Sequence, residues 1–376
     1  MKFYWFYQWS FSLIDYLIFY SIIIIITTFS LVDKFKNATF IFIFIFVLYF
    51  IGARPITLGT DTKAYYDIYD SWTFGFLESD LEFLFSIVTS FFKILNIDGF
   101  YWIAILSFIY LSFIFLSIHK VYKNGSIVLM LVFSNLYFWL YGINIVRYGL
   151  AFSLILFSAA TYACEMKKTK TFYLFTLSSI GFHVSIIFQA LFLVFYNRRV
   201  VSFLFRYYWV VIISSIAFYV IDVDLFEILI YLFQSFQSYF PERLVSRFFF
   251  YMYTYDSKEI NLGFSYIISI LAVFFSAVFR YRIMLNTERA RYIFFELSFY
   301  FSLLNIIFIP FFYKYDTFSR VFTGFEFFSW FLIYELICYF FKLKFERFII
   351  LVLFSLTMFS KVVYTGFFHG FLSDRF

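Results

Sequence analysis

The chain has 376 residues, of which 64% are hydrophobic and only 14% are charged. A soluble domain is typically about 45–50% apolar and about 25% charged, and so apolar a chain has too few polar side chains to cover a water-soluble surface. The composition therefore excludes a soluble enzyme, a disordered protein and a disulfide-stabilised scaffold. The net charge of +6 comes from basic residues scattered between apolar runs, which is typical of membrane loops and not of a nucleic-acid surface. We expect an all-α membrane protein in contact with the lipid bilayer, and no nucleic-acid partner.

Ten apolar runs approach the length of about 20 residues that a membrane-spanning helix needs. They occupy residues 11–32, 38–53, 101–118, 126–143, 148–164, 203–221, 263–279, 292–312, 321–341 and 348–365. The sequence shows no internal repeat, so we expect a single integral membrane domain over residues 1–376. Its larger outer loops are predicted at 54–80 and 222–262, where they form the substrate-facing surface.

Two further stretches, 81–97 and 171–196, are ambiguous because each interrupts an apolar run with polar residues or glycine. If both enter the bilayer and return to the same side, with the N-terminus outside, 17 of the 29 Lys and Arg residues lie inside and 11 lie outside, with Lys93 unassigned. If both cross fully, the numbers become 13 inside and 15 outside. Because cytoplasmic loops are enriched in Lys and Arg, the pattern favours two re-entrant or broken helical hairpins.

The first predicted outer loop carries Asp61 directly before a possible helix start at Thr62. In one interpretation the Asp61 carboxylate caps that helix by accepting its free amide hydrogens. In the other, Asp61 is a general base or a ligand of a sugar hydroxyl, and Tyr65 and Tyr66 offer rings on which a sugar stacks. The sequence leaves both interpretations open.

Two ionisable residues stand inside or beside apolar runs on the predicted outer side. Arg147 is either an interfacial anchor whose charge reaches the headgroups, or a phosphate clamp, since guanidinium binds phosphate oxygens bidentately. His183 is either a structural histidine or a functional group, because ionisable side chains at membrane depth are costly. Its two alternatives carry equal weight.

Three more arginines are predicted on the outer side. Arg243 and Arg247 are four residues apart after Pro241, so they share one face of a predicted helix. Together they hold a diphosphate or pair with nearby acids, and Arg320, at the start of a predicted span, has the same two alternatives. The three histidines and two cysteines have no metal-ligand spacing, so we predict neither a metal nor another cofactor.

The motifs over about residues 30–200 resemble the EpsG family and, more broadly, the Wzy-type O-antigen polymerases of polysaccharide synthesis. In order along the chain, the matching residues are Arg54; Gly59-Thr60-Asp61; Tyr65, Tyr66 and Tyr69; Glu82; Val146-Arg147 followed by Gly149-Leu150-Ala151; Lys167-Lys168; and Phe182-His183 followed by Ser185.

The resemblance implies a glycosyltransferase that polymerises oligosaccharide repeats carried on undecaprenyl diphosphate, for O-antigen, capsule or exopolysaccharide. It implies a bacterial cytoplasmic (inner) membrane location, an active site facing the periplasm or cell exterior, and a chain-length regulator as a further partner. We expect Asp61, His183 and Arg147 to be catalytic. Binding of the diphosphate or the sugar is expected from Arg54, Tyr65, Tyr66, Glu82, Arg243, Arg247 and Arg320.

Two other function classes remain open on the sequence. A lipid-linked oligosaccharide flippase or transporter also has many spans and broken helices, but it would place charges along a midplane path and have paired repeats. A multi-span acyltransferase that modifies surface sugars would use His183 as its base.

Overall fold

The computed structural model describes residues 13–54, 56, 61–73, 82–221, 231, 234–235, 264–312 and 316–364. Every regular element in these ranges is a helix, which confirms the predicted all-α class. The first nine helices are α1 (Leu13–Phe29), α2 (Lys36–Gly52), α3 (Thr62–Asp70), α4 (Phe83–Ile94), α5 (Gly99–Val121), α6 (Gly125–Phe133), α7 (Leu136–Ile143), α8 (Val146–Glu165) and α9 (Lys170–Phe182). They are followed by α10 (Ile187–Val194), α11 (Arg198–Ile221), α12 (Phe264–Asn286), α13 (Arg289–Phe312), α14 (Asp316–Phe327), α15 (Ser329–Phe340) and α16 (Lys344–Tyr364).

The chain divides into two compact units. Unit 1 contains residues 1–195, 287–294 and 337–376, and unit 2 contains residues 196–286 and 295–336. The core of unit 1 is formed by α5 and α8, and α8 is the most deeply buried of its long apolar helices. The single membrane domain expected over the whole chain stays a prediction.

Within the described residues, six helices are long and apolar enough to cross a membrane, or seven if one bent helix pair is a single span. The protein is therefore a helical membrane protein, as its composition predicts. The predicted total of ten spans is not confirmed by this number and stays a prediction.

The predicted span 126–143 is not one continuous helix, because α6 and α7 are bent by 82° relative to each other, and its crossing of the membrane stays a prediction. The break falls at Ser134 and Asn135, and the Asn135 side chain accepts a hydrogen bond from the Tyr137 amide at the start of α7. The indole of Trp139 donates to the Phe133 carbonyl at the end of α6. One amide side chain and one indole thus compensate backbone groups that the break leaves without helical partners.

The predicted span 321–341 is also interrupted. Helix α14 ends at Phe327 and α15 begins at Ser329. On each side of the break, at Phe328 and Phe331, the backbone N–H donates to the carbonyl three residues earlier instead of four. The hydroxyl of Ser329 donates to the Ser302 hydroxyl of α13 inside unit 2. The helix is therefore interrupted at a position where the apolar run in the sequence continues.

The stretch 171–196 folds as two short helices separated by a break at His183. The ammonium group of Lys168, just before α9, donates to the carbonyl of Val194, the last residue of α10. The chain therefore doubles back and returns to the end from which it started, which is the predicted broken hairpin. Its tip is the His183 region.

The stretch 81–97 contains one helix, α4, of 12 residues. At 1.5 Å per residue it is about 18 Å long, which is less than the roughly 30 Å of a bilayer core. Like α9 and α10, it is too short to cross, which agrees with a segment that does not span the bilayer, but the described residues 82–97 contain no second helix of the predicted hairpin.

One end of unit 1 gathers loops that were predicted on the inner side. The Asn124 amide donates to the Ser30 carbonyl, Lys344 pairs with Asp33, and Lys123 pairs with Glu288. These contacts join four loops at a single end, as the predicted topology requires. Which leaflet that end faces stays a prediction.

Candidate functional site

Three ionisable residues from separate elements meet at the opposite end of unit 1. The Nη1 atom of Arg147 lies 2.6 Å from Oε2 of Glu82, and Nδ1 of His183 lies 3.7 Å from Oε1 of the same carboxylate. The side chains of Glu82, Arg147 and His183 are 16%, 26% and 22% exposed, so the group is partly shielded and still open. We call Glu82, Arg147 and His183 the central cluster.

Each member of the central cluster stands where a helix begins or ends. Glu82 has extended backbone directly before α4, Arg147 is in the first turn of α8, and His183 lies between α9 and the short 3-10 turn Val184–Ile186. Such positions free side chains from the regular packing of a helix interior. Arg147 and His183, which follow Glu82 by 65 and 101 positions in the chain, therefore reach its carboxylate.

Two glycines allow the helices that carry this cluster to approach closely. A Cβ atom on Gly149 of α8 would overlap the Tyr141 carbonyl oxygen of α7. A Cβ atom on Gly181 of α9 would lie 2.6 Å from Cγ of Leu84 in α4. Small residues let helices pack at short distance in membranes. Here they bring α8 against α7 and the tip of α9 against the start of α4, where Glu82 stands.

The environment of His183 defines its protonation pattern. The backbone N–H of Ser185 donates to Nδ1 at 3.3 Å, and the Ser185 hydroxyl lies 2.9 Å from the same nitrogen. Because a backbone N–H only donates, Nδ1 is the acceptor, and the neutral ring carries its proton on Nε2. His183 is thus arranged to donate a hydrogen bond from Nε2, and its Nδ1 is occupied.

Helix α3 supplies the next residues around the cluster. The Tyr65 hydroxyl lies 3.5 Å from the backbone nitrogen of Arg147. Burial raises the pKa of the Tyr65 phenol, although the positive charge of Arg147 opposes this, so the hydroxyl stays protonated at neutral pH. Asp61 is half-buried directly before α3, and its charge acts on Tyr65.

The structure tests the interpretation of Asp61 as a helix cap. Helix α3 begins at Thr62, as the sequence predicts, but the Asp61 side chain makes no capping hydrogen bond. The capping interpretation is therefore wrong in its main point. Asp61 remains a candidate for chemistry one helical turn from Tyr65, which itself reaches Arg147.

Arg54 was expected to bind substrate, and the structure gives it a packing role. Its side chain is 1% exposed. Nη1 donates to the Ile51 carbonyl, the Ser107 hydroxyl and the Gly142 carbonyl, each at 3.1 Å, and Nε donates to the Thr62 hydroxyl at 3.2 Å. Arg54 therefore ties α2, α3, α5 and α7 together, although its Nη2 is buried without a hydrogen-bond partner.

The other predicted residues are distributed as follows. Tyr66 is buried, with its ring against the position of Gly99, so its face is not available for sugar stacking in this conformation. Arg243 and Arg247 lie outside the described residues. Arg320 is on α14, but its side chain is also outside the described part.

Sequence reasoning missed the small polar residues that hold the site together. Thr62 and Ser107 bind Arg54, and Gln189 of α10 donates to the Tyr148 hydroxyl, whose ring contacts His183 edge-on. A polar side chain within an otherwise apolar helix is the signal that points to such partners. Hydropathy alone does not say which buried group each one meets.

Among the described residues, no group of three or more His, Cys, Asp or Glu side chains has the arrangement to hold a metal ion. The side chains of the central cluster offer three chemical groups. A cationic guanidinium is available for anions, a carboxylate oxygen for protons, and an imidazole N–H for oxygen atoms.

The chain was compared with protein-family models, with curated proteins and with solved structures. The model described as the EpsG family matches residues 37–373, which is nearly the whole chain. No curated protein and no solved structure matches.

Proposed function

Because the chain belongs to the EpsG family, whose members are Wzy-like polysaccharide polymerases, we propose that it joins oligosaccharide repeats carried on undecaprenyl diphosphate. The product is O-antigen, capsule or exopolysaccharide. The reaction takes place on the outer face of the bacterial cytoplasmic membrane, at the end of unit 1 that carries the central cluster. A chain-length regulator is the partner that the family implies.

The observation that carries this proposal is the convergence of Glu82, Arg147 and His183 from three elements. A polymerase of lipid-linked repeats needs a cation for a diphosphate leaving group and a group that accepts a proton from a sugar hydroxyl. The central cluster offers a guanidinium and a carboxylate in direct contact, and both are partly open. His183 lies beside this pair, with Nδ1 3.7 Å from the carboxylate, and adds an imidazole to the same place.

The reaction is a substitution at one carbon atom. A hydroxyl oxygen on the non-reducing sugar of one lipid-linked repeat attacks the anomeric carbon of the growing chain. The bond from that carbon to the diphosphate oxygen breaks, the lipid diphosphate leaves with the electron pair, and the hydroxyl proton passes to a base. The larger task of the protein is to stabilise the negative charge that accumulates on the leaving diphosphate.

Arg147 is suited to that charge. One of its nitrogens is bound to Glu82, and the remaining exposed part of the guanidinium can donate to diphosphate oxygens. Glu82 fixes its orientation, and the Nε2–H of His183 provides a second donor to an oxygen atom in the same place. Shielding from water strengthens these interactions.

The proton acceptor is a carboxylate in this proposal, since Nδ1 of His183 is occupied by Ser185. Oε1 of Glu82 is the oxygen that Arg147 does not bind, and Asp61 lies one turn of α3 before Tyr65. Either can accept the proton once the hydroxyl is within hydrogen-bond reach. Glu82→Gln and Asp61→Asn variants separate the two.

The test is chain lengthening by the purified full-length protein in lipid, supplied with a synthetic undecaprenyl-diphosphate repeat. We expect longer chains from the wild type, and a loss of about 10²–10³ in rate with Arg147→Gln, by analogy with removal of one donor to a developing oxyanion. The matched control is Arg289→Gln, an exposed arginine at the start of α13. The control is expected to polymerise at the wild-type rate.

Three results would contradict the proposal. One is the absence of lengthening with a repeat unit that the host makes. Another is an Arg147→Gln rate equal to that of Arg289→Gln, which would remove the central cluster from the chemistry. The third is movement of the repeat across the bilayer without lengthening, which would support the flippase alternative.

A further inference from the structure

A cavity of about 510 Å³ lies on unit 2, and none of its lining residues belongs to the central cluster. It is lined by Ser202, Phe203, Phe205 and Arg206 of α11 and by Arg280 of α12. The cavity is open on one side and combines two arginines with a hydroxyl and two aromatic rings. Neither the family match nor the proposed polymerisation assigns a role to these residues.

Two arginines line the cavity. The Glu296 carboxylate is 1% exposed and binds two guanidinium groups, with Arg198 Nε at 2.8 Å from Oε2 and Arg280 Nη2 at 2.9 Å from Oε1. This buried carboxylate fixes the position of Arg280 at the cavity wall. Arg206 has no ion pair with any acid in the part of the chain that the structure describes, so its positive charge is available to an anion in the cavity.

The cavity wall is held in place before any ligand arrives. The Arg280 guanidinium lies over the Phe205 ring, 4.1 Å from its centre, and donates to the Ser202 hydroxyl oxygen at 3.0 Å. The Ser202 hydroxyl keeps its own hydrogen for donation to a ligand. Ser202 and Arg206 are four residues apart on α11 and therefore lie on one face.

The surroundings of the cavity are apolar and exposed. Phe203 is 61% exposed and Trp209 is 53% exposed on α11, and both α11 and α12 are candidate membrane spans with most of their surface unburied. The backbone of α11 also leaves helical geometry at Tyr207, next to Arg206. In a membrane protein, such helix surfaces face acyl chains, and basic pockets between helices accept lipid headgroups.

We propose that this cavity binds the phosphate of an anionic phospholipid. Arg206, Arg280 and the Ser202 hydroxyl contact the phosphate oxygens, and the acyl chains lie along the exposed apolar faces of α11 and α12. Guanidinium suits phosphate geometry, and the apolar helix surface selects a lipid over a free phosphate. The proposal does not depend on the polymerase activity, because it uses no residue of the central cluster.

The test is a lipid titration of the delipidated full-length protein in detergent, followed by native mass spectrometry. Phosphatidylglycerol is compared with phosphatidylcholine of the same acyl chains, and soluble glycerol 1-phosphate is added as a competitor. We expect preferential binding of one phosphatidylglycerol and an affinity loss of about fivefold in Arg206→Gln, the equivalent of about 1 kcal/mol. Glycerol 1-phosphate is expected to compete poorly.

The matched control is Arg199→Gln, which removes one exposed arginine from the same helix without touching the cavity wall. Arg206→Lys keeps the charge and is expected to retain part of the affinity. Equal losses in Arg206→Gln and Arg199→Gln would overturn the proposal, because they would indicate general attraction to a basic surface. Competition by glycerol 1-phosphate as strong as that of the lipid would also overturn it, in favour of a soluble phosphate ligand.

Discussion

Gly149 of α8 lies against the carbonyl of Tyr141 in α7, and no side chain fits between the two backbones. This contact closes the turn between α7 and α8, two residues after Arg147. The position of Arg147, which binds Glu82, therefore depends on Gly149 having no side chain.

The first prediction is that Gly149→Ala destabilises the protein by about 1–3 kcal/mol, because the added carbon meets backbone and not a movable side chain. Gly52→Ala is the matched control, since its nearest neighbours would be 3.6 Å away, which is ordinary contact. It is expected to leave stability unchanged or to raise it by about 0.5–1 kcal/mol. Melting temperatures in detergent measure both, and equal effects would contradict this explanation.

The second prediction concerns Gly181, which lies against the Leu84 side chain. Gly181→Ala is expected to push α9 from α4, to separate His183 from Glu82 and to lower activity. Here the obstacle is a side chain, so the double variant Gly181→Ala with Leu84→Ala is expected to recover part of the activity. Rates per folded protein provide the measurement, and the absence of any recovery would count against the geometry.

The third prediction separates packing from substrate binding at Arg54. Arg54→Lys keeps the charge but loses the fork that holds four acceptors, so we expect a loss of about 2–4 kcal/mol in stability. Arg289→Lys, at an exposed position, is expected to change nothing measurable. Substrate KM per folded protein is expected to stay close to the wild-type value in both. A large rise in KM with unchanged melting temperature would instead show that Arg54 binds substrate.

The fourth prediction is an energetic coupling between Glu82 and Arg147. The single variants Glu82→Gln and Arg147→Gln and their combination form a double-mutant cycle, for which we expect a coupling of about 1–3 kcal/mol in stability. The estimate lies below that of a fully buried pair because both side chains are partly exposed. Additive effects in melting experiments would show that the pair is not formed in the membrane protein.

Much of the architecture could be predicted from hydropathy. The helical membrane class, the position of most long helices and the doubling back of 171–196 follow from apolar run length and from the placement of Lys and Arg. The breaks within 126–143 and 321–341 could not be predicted, because an interrupted helix pair has the same average hydropathy as one straight span. Asn135, which stabilises the break, is a single polar residue in an apolar run and changes the average hydropathy of that run little.

The site, too, was predictable in part. The sequence by itself determined that Arg54, Asp61, Glu82, Arg147 and His183 are expensive residues for an apolar environment, and therefore candidates for special roles. Only the tertiary structure decided which of them meet. It placed Glu82 between Arg147 and His183 and enclosed Arg54 among carbonyl and hydroxyl oxygens. The physical reason is that the free-energy cost of burying an ionisable side chain follows from its residue type and the local hydropathy. Which residue it contacts depends instead on the distances between helices that are far apart in the chain. Those distances are set by close backbone contacts at residues such as Gly149 and Gly181.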